Sequence, residues 1–312
     1  MRVLQKNTKK SFLYRVSRDW KMNFDLYLLI VPVIVFYILF HYRVMYGAVI
    51  AFKDYVPKLG IGGSPWVGLK HFKAFFQSPT FPVLLRNTLT ISCASIIFGF
   101  PAPIILALLI NELRSKAFAG VVKNCSYLPH FISLVVACAI VKNFVSNTGL
   151  IGSFVNSFTG SDVSLLNNAK YFVPVYIASD LWQEVGWSSV IYLAALASVD
   201  AELYEAAEMD GAGMWVKLIH ITIPSIMLTI MIMLIMRLGG VLSVGYEKII
   251  LLYNPMTYDT ADVITSYVYR KGLQEFNYSF STAVGLFNSV INFIILLITN
   301  HLSKKYSEIS LM

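Results

Sequence analysis

The stretch Ser198-Val-Asp-Ala-Glu-Leu-Tyr-Glu-Ala-Ala-Glu-Met-Asp-Gly-Ala-Gly-Met-Trp-Val-Lys-Leu-Ile-His-Ile-Thr-Ile-Pro224 is a polar island between two long apolar runs. Its residues predict a short helix, a glycine break and a second helix that enters a membrane. Asp200 can act as the N-cap, Glu202 and Glu205 favour the positive end of the helix dipole, and Ala206 and Ala207 are strong helix formers. Asp210-Gly211 then stops the helix, because Gly211 can take the left-handed conformation without a steric penalty. The second helix is expected to begin at Met214. Glu202, Glu205 and Glu208 share one side, whereas Leu203, Ala206 and Ala207 give a small, shallow apolar side. Small residues let another backbone approach closely, so the helix reads as a docking element on the cytoplasmic side.

The flanking runs settle the class. With 57% hydrophobic and 13% charged residues over 312 positions, and a mean hydropathy of +0.65, the chain is too apolar for a soluble protein. It reads as an all-α integral membrane protein. A spanning helix needs about 20 mainly apolar residues. Candidates run from Leu26 to about Tyr46 and near 88–110, 125–145, 173–198, 222–243 and 281–301, which makes six. Residues 1–26 form a basic tail, with Arg2, Lys6, Lys9, Lys10, Arg15, Arg18 and Lys21 against Asp19 and Asp25; such a tail stays cytoplasmic and meets anionic lipid heads. The spanning domain is then 27–305, with an external segment 47–87 and a cytoplasmic loop 199–221, followed by a cytoplasmic tail 306–312. No small-residue cleavage site precedes the end of the first apolar run, so a removable signal peptide is not expected. Cys93, Cys125 and Cys138 lack paired spacings and read as buried small hydrophobes.

Charges inside spanning segments are costly and point to a transport path. Asp180, Gln183, Glu184 and Trp187 fall at i, i+3, i+4 and i+7 on one face of the fourth span. Counted back from Val199 at 1.5 Å per residue, Glu184 lies roughly 22 Å and Asp180 roughly 28 Å from the cytoplasmic end. Carboxylates, an amide and an indole are the groups that hold sugars, through hydroxyl hydrogen bonds and ring stacking. The face therefore reads either as an outward-facing substrate vestibule or as one side of an interhelical ion pair. Arg237 supplies the partner for the second reading, because it falls at nearly the depth of Glu184 and an unpaired guanidinium there is costly.

At Glu205-Ala206-Ala207, followed by Asp210-Gly211-Ala212 and later by Pro224, the chain resembles the permease subunits of binding-protein-dependent ABC importers, in which this loop carries the EAA motif. The segments Met45–Tyr55, Trp66–Phe72, Tyr127–Ser133, Tyr253-Asn254-Pro255 and Thr260–Ile264 resemble the carbohydrate-uptake type, and within it the subgroup for oligosaccharides and polysaccharide fragments. The resemblance covers about residues 27 to 305. It implies a type I importer permease fold of six transmembrane helices in a bacterial cytoplasmic (inner) membrane, with the N-terminus cytoplasmic. It also implies that Glu205, Ala206, Ala207, Asp210, Gly211 and Ala212 belong to a coupling helix that docks on a cytoplasmic ATPase. The implied partners are a second homologous permease, two ATPase subunits that hold ATP and Mg, and an extracytoplasmic solute-binding protein.

The chain itself carries no phosphate-binding loop of the form G-x-x-x-x-G-K-[ST], its five histidines lack metal-ligand spacing, and nothing resembles an activated nucleophile. No enzyme, cofactor, metal site or nucleic-acid partner is expected in it. The competing class is an ion-gradient-driven secondary transporter or channel, which leaves the docking helix unexplained. The external segment holds Arg43, Lys53, Lys58, Lys70, Lys73 and Arg86 against Asp54 alone. Such a field favours an acidic oligosaccharide or an acidic face of the binding protein, unless the cations merely meet lipid phosphates or solvent.

Overall fold

The computed structural model describes Trp20, residues 22–160 and residues 164–307; most of the basic tail 1–26 and residues 308–312 lie outside them. Among the described residues the regular structure is helical, with one isolated antiparallel bridge between Lys53 and Trp66. The first helix, α1 (Phe24–Phe52), tightens at its end into 3₁₀ turns over Tyr46–Phe52. The segment 47–87, expected to lie outside, is thus helical as far as Phe52. It folds back on itself, with Trp66 stacked on Phe52 at 5.7 Å, and contains the short helix α2 (Lys70–Phe76). Then follow α3 (Phe81–Asn111), α4 (Lys116–Tyr127), α5 (Leu134–Val145), α6 (Leu150–Thr159) and the long α7 (Ala169–Ala197). The chain continues through α8 (Ala201–Met209), α9 (Met214–Ser225), α10 (Met227–Gly239), α11 (Tyr246–Leu252), α12 (Ile264–Tyr269) and α13 (Tyr278–Ser307).

Among the described residues four helices are long and apolar enough to cross a membrane: α1, α3, the Leu134–Thr159 stretch and α13 up to Lys304. The pair α9 and α10 makes a fifth if it is one bent span. The sequence predicts six, and the differences have local causes. The segment near 125–145 is interrupted: Pro129 lies in a 3₁₀ turn over Leu128–Phe131, and the apolar helix starts only at Leu134. The span near 222–243 bends by 60° between Ser225 and Met227. Pro224 lacks an amide hydrogen and its ring crowds the carbonyl of the preceding turn, so the helix cannot run straight through. The 29-residue α7 is long enough to span, but it carries the polar face of Asp180, Gln183 and Glu184 and is not among the apolar candidates.

Three buried clusters hold these helices together. Ala107, Tyr192, Leu196 and Ile226 join α3, α7 and the bend between α9 and α10. Ile91, Cys138, Phe172, Tyr176 and Ile249 join α3, α5, α7 and α11. Phe75, Leu84, Ile264, Tyr267 and Val284 tie α2 and α12 to α3 and α13. Of the cysteines only Cys138 is buried; Cys93 and Cys125 lie on the surface of the chain, which corrects the expectation for them. Helix α7 runs through two of the three clusters, so its polar residues sit on a firmly packed element.

Candidate functional site

The Asn168 side chain caps α7 by accepting from the Lys170 amide at 3.0 Å, and the helix then presents a polar face one turn after another. The Asp180 carboxylate accepts a hydrogen bond from the Lys248 ammonium at 3.2 Å. Lys248 belongs to α11, is only 6% exposed, and also lies 5.3 Å over the ring of Tyr176, one turn earlier on α7. A cation this buried needs a counter-charge, and Asp180 supplies it. One turn later the Glu184 carboxylate meets His130 Nδ1 at 2.9 Å. The His130 ring stacks on the Trp187 indole with centroids 4.7 Å apart, and Phe131 meets the same indole edge-on at 5.7 Å. Gln183 is buried and donates to the Ile132 carbonyl at 3.3 Å.

Gly186 explains how the 126–132 segment comes so close. A Cβ at Gly186 would sit 1.9 Å from the Ser126 carbonyl oxygen, so only glycine admits this backbone. Gln183, Glu184, Gly186 and Trp187 together hold the Tyr127–Ser133 turn against α7.

The structure thus gathers Asp180, Gln183, Glu184 and Trp187 as their spacing predicts, but the pairing differs. Glu184 is matched by His130 and Asp180 by Lys248, and no carboxylate lies within ion-pair distance of Arg237 among the described residues. Arg237 reaches the same place from α10, with Nη2 3.7 Å from where a Gly99 Cβ would stand. The expected Arg237–Glu184 pair is replaced because a buried lysine and a histidine from elsewhere in the chain reach the carboxylates first. Asp180, Gln183, Glu184, Arg237 and Lys248 line a cleft of about 570 Å³, together with Ser92, Ser95 and Glu247. A second space of about 570 Å³, lined by Phe100, Trp187, Ile191, Tyr192 and Met233, also includes Arg237. Sequence reasoning missed Lys248, which reads as a loop residue, and His130, whose only signal is its place in the Tyr127–Ser133 segment.

At the far end of α7, roughly 25 Å along the axis from Asp180 at 1.5 Å per residue, the chain forms α8. The Asp200 side chain caps it by accepting from the Glu202 amide at 3.0 Å. Gly211 takes φ +75°, and the amides of Gly211 and Ala212 return to the carbonyls of Glu208 and Ala207 at 3.0 and 2.8 Å. That closure is the left-handed helix stop the sequence predicts. Glu205, Ala206, Asp210 and Gly211 are exposed, Ala207 and Ala212 half-buried, and Met209 is 90% exposed. Two contacts tie α8 to α9: Tyr204 Oη to Thr222 Oγ1 at 3.0 Å, and Lys217 Nζ to Glu208 at 2.6 Å. The hydrogen bond and charge of Lys217 hold the Glu208 carboxyl below the ordinary carboxylate range.

Between α1 and α3 Lys70 pairs with Asp54 at 2.7 Å and Lys53 donates to the Ile61 carbonyl at 2.6 Å, while Arg86 at the start of α3 donates to the Asp259 carbonyl at 2.5 Å. Of the six cations counted from the sequence, Lys53, Lys70 and Arg86 are thus engaged in holding the segment to itself and to the 258–262 turn, and Arg43 lies within α1.

Several apolar helices around a polar, partly charge-matched cleft, with an exposed short helix on a loop at one end, define a membrane transport subunit. The chain belongs to the family described as the binding-protein-dependent transport system inner membrane component, whose model matches residues 99–308. It is 43% identical to Protein LplB of Bacillus subtilis (strain 168), over 96% of this chain and 93% of that protein. It is 44% identical to the polygalacturonan/rhamnogalacturonan transport system permease protein YteP of the same organism, over 98% and 94%. Among solved structures it is similar to a chain of a bacterial ABC transporter involved in the import of the acidic polysaccharide alginate, with a TM-score of 0.86, 43% identity, and coverage of 94% of this chain and 99% of that one.

Proposed function

We propose that this chain is the transmembrane subunit of an ATP-driven importer that passes an acidic oligosaccharide from an extracytoplasmic binding protein to the cytoplasm. The observation that carries the proposal is the match, over nearly the whole of both chains, to a chain of a bacterial ABC transporter involved in alginate import, and likewise to a chain of a bacterial alginate ABC transporter in complex with an alginate pentasaccharide-bound periplasmic protein. Relatives named for transport of polygalacturonan and rhamnogalacturonan support the same substrate class.

In this reading the bent α9–α10 pair and α7 each complete a span, giving the six of a type I permease with the N-terminus cytoplasmic. Helix α8, with Glu205, Ala206, Ala207, Asp210, Gly211 and Ala212, is the coupling helix that docks on one of two partner ATPases, which hold the ATP and Mg. A second permease faces the cleft, and Asp180, Gln183, Glu184, Trp187 and Arg237 line the substrate path. Closure of the ATPases moves α8, and the rigid α7 transmits that motion to the cleft, so two sites share one bistable element.

The test is uptake by the complete complex in proteoliposomes, offered labelled acidic and neutral oligosaccharides with their binding protein. ATP-dependent uptake of a uronic-acid oligomer that survives collapse of ion gradients is the expected result. Uptake that needs a gradient and ignores ATP would instead establish a secondary transporter.

A further inference from the structure

The polar cleft and the apolar space beside it are stacked along the helix axes, and three helices report the same order independently. On α7 the polar cleft takes residues from Tyr176 to Ser188 and the apolar space takes residues from Trp187 to Ala194. On α3 the polar cleft starts at Ser92, whereas the apolar space starts at Gly99. On α10 the apolar space uses Met233 and Arg237, and the polar cleft uses Met236 onward. The two share Gly99, Pro103, Ser188 and Arg237, so Arg237 stands at their junction.

Charge around that junction is uneven. In the polar cleft the Asp180 and Glu184 carboxylates already have Lys248 and His130. Glu247, which carries no ion pair among the described residues, lines the polar cleft alone. In the apolar space Arg237 is the single charged residue of the lining. Nothing in that lining opposes or neutralises its field, and apolar walls weaken charges far less than water does. A guanidinium is a planar fork that matches a carboxylate with two parallel hydrogen bonds, and it stays charged at any physiological pH.

We propose that Arg237 is the carboxylate-recognising residue of the translocation path, a charge filter at the point where a sugar chain leaves the polar cleft for the apolar passage. Neutral hydroxyls can be served by Asp180, Glu184, Ser92 and Ser95, whereas a uronate carboxylate finds its unmatched cation only at Arg237. The assignment rests on the importer reading above and adds the residue that selects charge.

The experiment compares uptake of a uronic-acid tetrasaccharide with that of the same oligomer after its carboxyls are reduced to hydroxymethyl groups, in proteoliposomes holding the complete complex. Wild type taking up neither oligomer overturns the importer reading itself. With that established, Arg237→Gln should lower uptake of the acidic oligomer ten-fold or more and that of the reduced oligomer less than three-fold. Equal losses for both, or no loss for either, overturn the filter. A charge-rescue arm covers a wild type that accepts only the acidic oligomer, and a Gln variant that fails to assemble. Arg237→Cys, in a background where Cys93, Cys125 and Cys138 are serine, is treated with an aminoethyl or a sulfonatoethyl methanethiosulfonate. Restoration by the cationic reagent alone supports the filter. The same response to both reagents marks a steric or lipid-contacting role and overturns it.

Discussion

The imidazole of His130 lies flat on the indole of Trp187, with ring centroids 4.7 Å apart and planes inclined by 2°, while its Nδ1 holds Glu184 at 2.9 Å. One histidine from the turn between α4 and α5 thus ties together two residues a single turn apart on α7. Stacking fixes the ring plane, and the carboxylate fixes which edge of the ring faces Glu184. Glu184 is thereby held in the wall of the cleft by a histidine whose ring is itself fixed by the indole.

His130→Ala should loosen this turn and release Glu184. Because Glu184 keeps 42% of its side-chain exposure, solvent screens the pair, and a coupling of about 1 kcal/mol is expected in a double-mutant cycle with Glu184→Gln. Thermal unfolding of the purified complex measures it. Strictly additive losses would mean that the contact contributes nothing.

Asp180→Asn should be the more damaging change, because Lys248 is buried and would lose its only carboxylate partner among the described residues. Removing one member of a buried pair costs about 3–5 kcal/mol, whereas removing both is far milder. The double variant Asp180→Asn/Lys248→Met should therefore melt above Asp180→Asn. A double variant that melts lower than the single one would contradict the pairing.

Gly186→Ala is expected to separate α7 from the end of α4, because the added methyl meets backbone atoms of Ser126 that no rotamer change can move. A destabilisation of at least about 2 kcal/mol follows from overpacking of this kind. Uptake should fall with it, since the His130 turn would shift. A variant with wild-type melting temperature and uptake would show that the approach is not required.

Glu205→Ala and Gly211→Pro should leave the protein in the membrane but uncouple it. The first removes an exposed polar group from α8; the second demands φ near −65° where the chain holds +75°, and deletes the amide that returns to Glu208. Co-purification of the ATPases and substrate-stimulated ATP hydrolysis are the measurements. Wild-type values of both, in both variants, would remove α8 from the docking role.

The Glu208–Lys217 contact carries a pH signature. The folded-state pKa of Glu208 is depressed, so its contribution is present above the ordinary glutamate value and is lost as pH falls through the lower folded value. The Glu208–Lys217 contact should therefore be unchanged across neutral pH and be lost only under acid conditions below the ordinary glutamate range. Titration of a carboxyl-labelled Glu208 by NMR should give a value below the ordinary one, moving back towards it in Lys217→Met. An ordinary value in the wild type would refute the contact.

Sequence alone determined the features that depend on near neighbours. The apolar runs mark an integral membrane protein, Asp200 and Gly211 fix the two ends of α8, and the i, i+3, i+4, i+7 spacing places Asp180, Gln183, Glu184 and Trp187 on one face. Each follows from helix geometry or local backbone preference, which a few residues suffice to set. The tertiary structure alone decided who partners whom. Lys248 lies 68 residues from Asp180 and His130 lies 54 residues from Glu184, and no periodicity links positions so far apart. Arg237 and Glu184 line one cleft, yet counting residues could not reveal that the partner expected for Arg237 is taken. That outcome depends on Gly186 admitting the Ser126 backbone, and on burial forcing Lys248 onto Asp180. Both are consequences of packing between elements rather than of any single one.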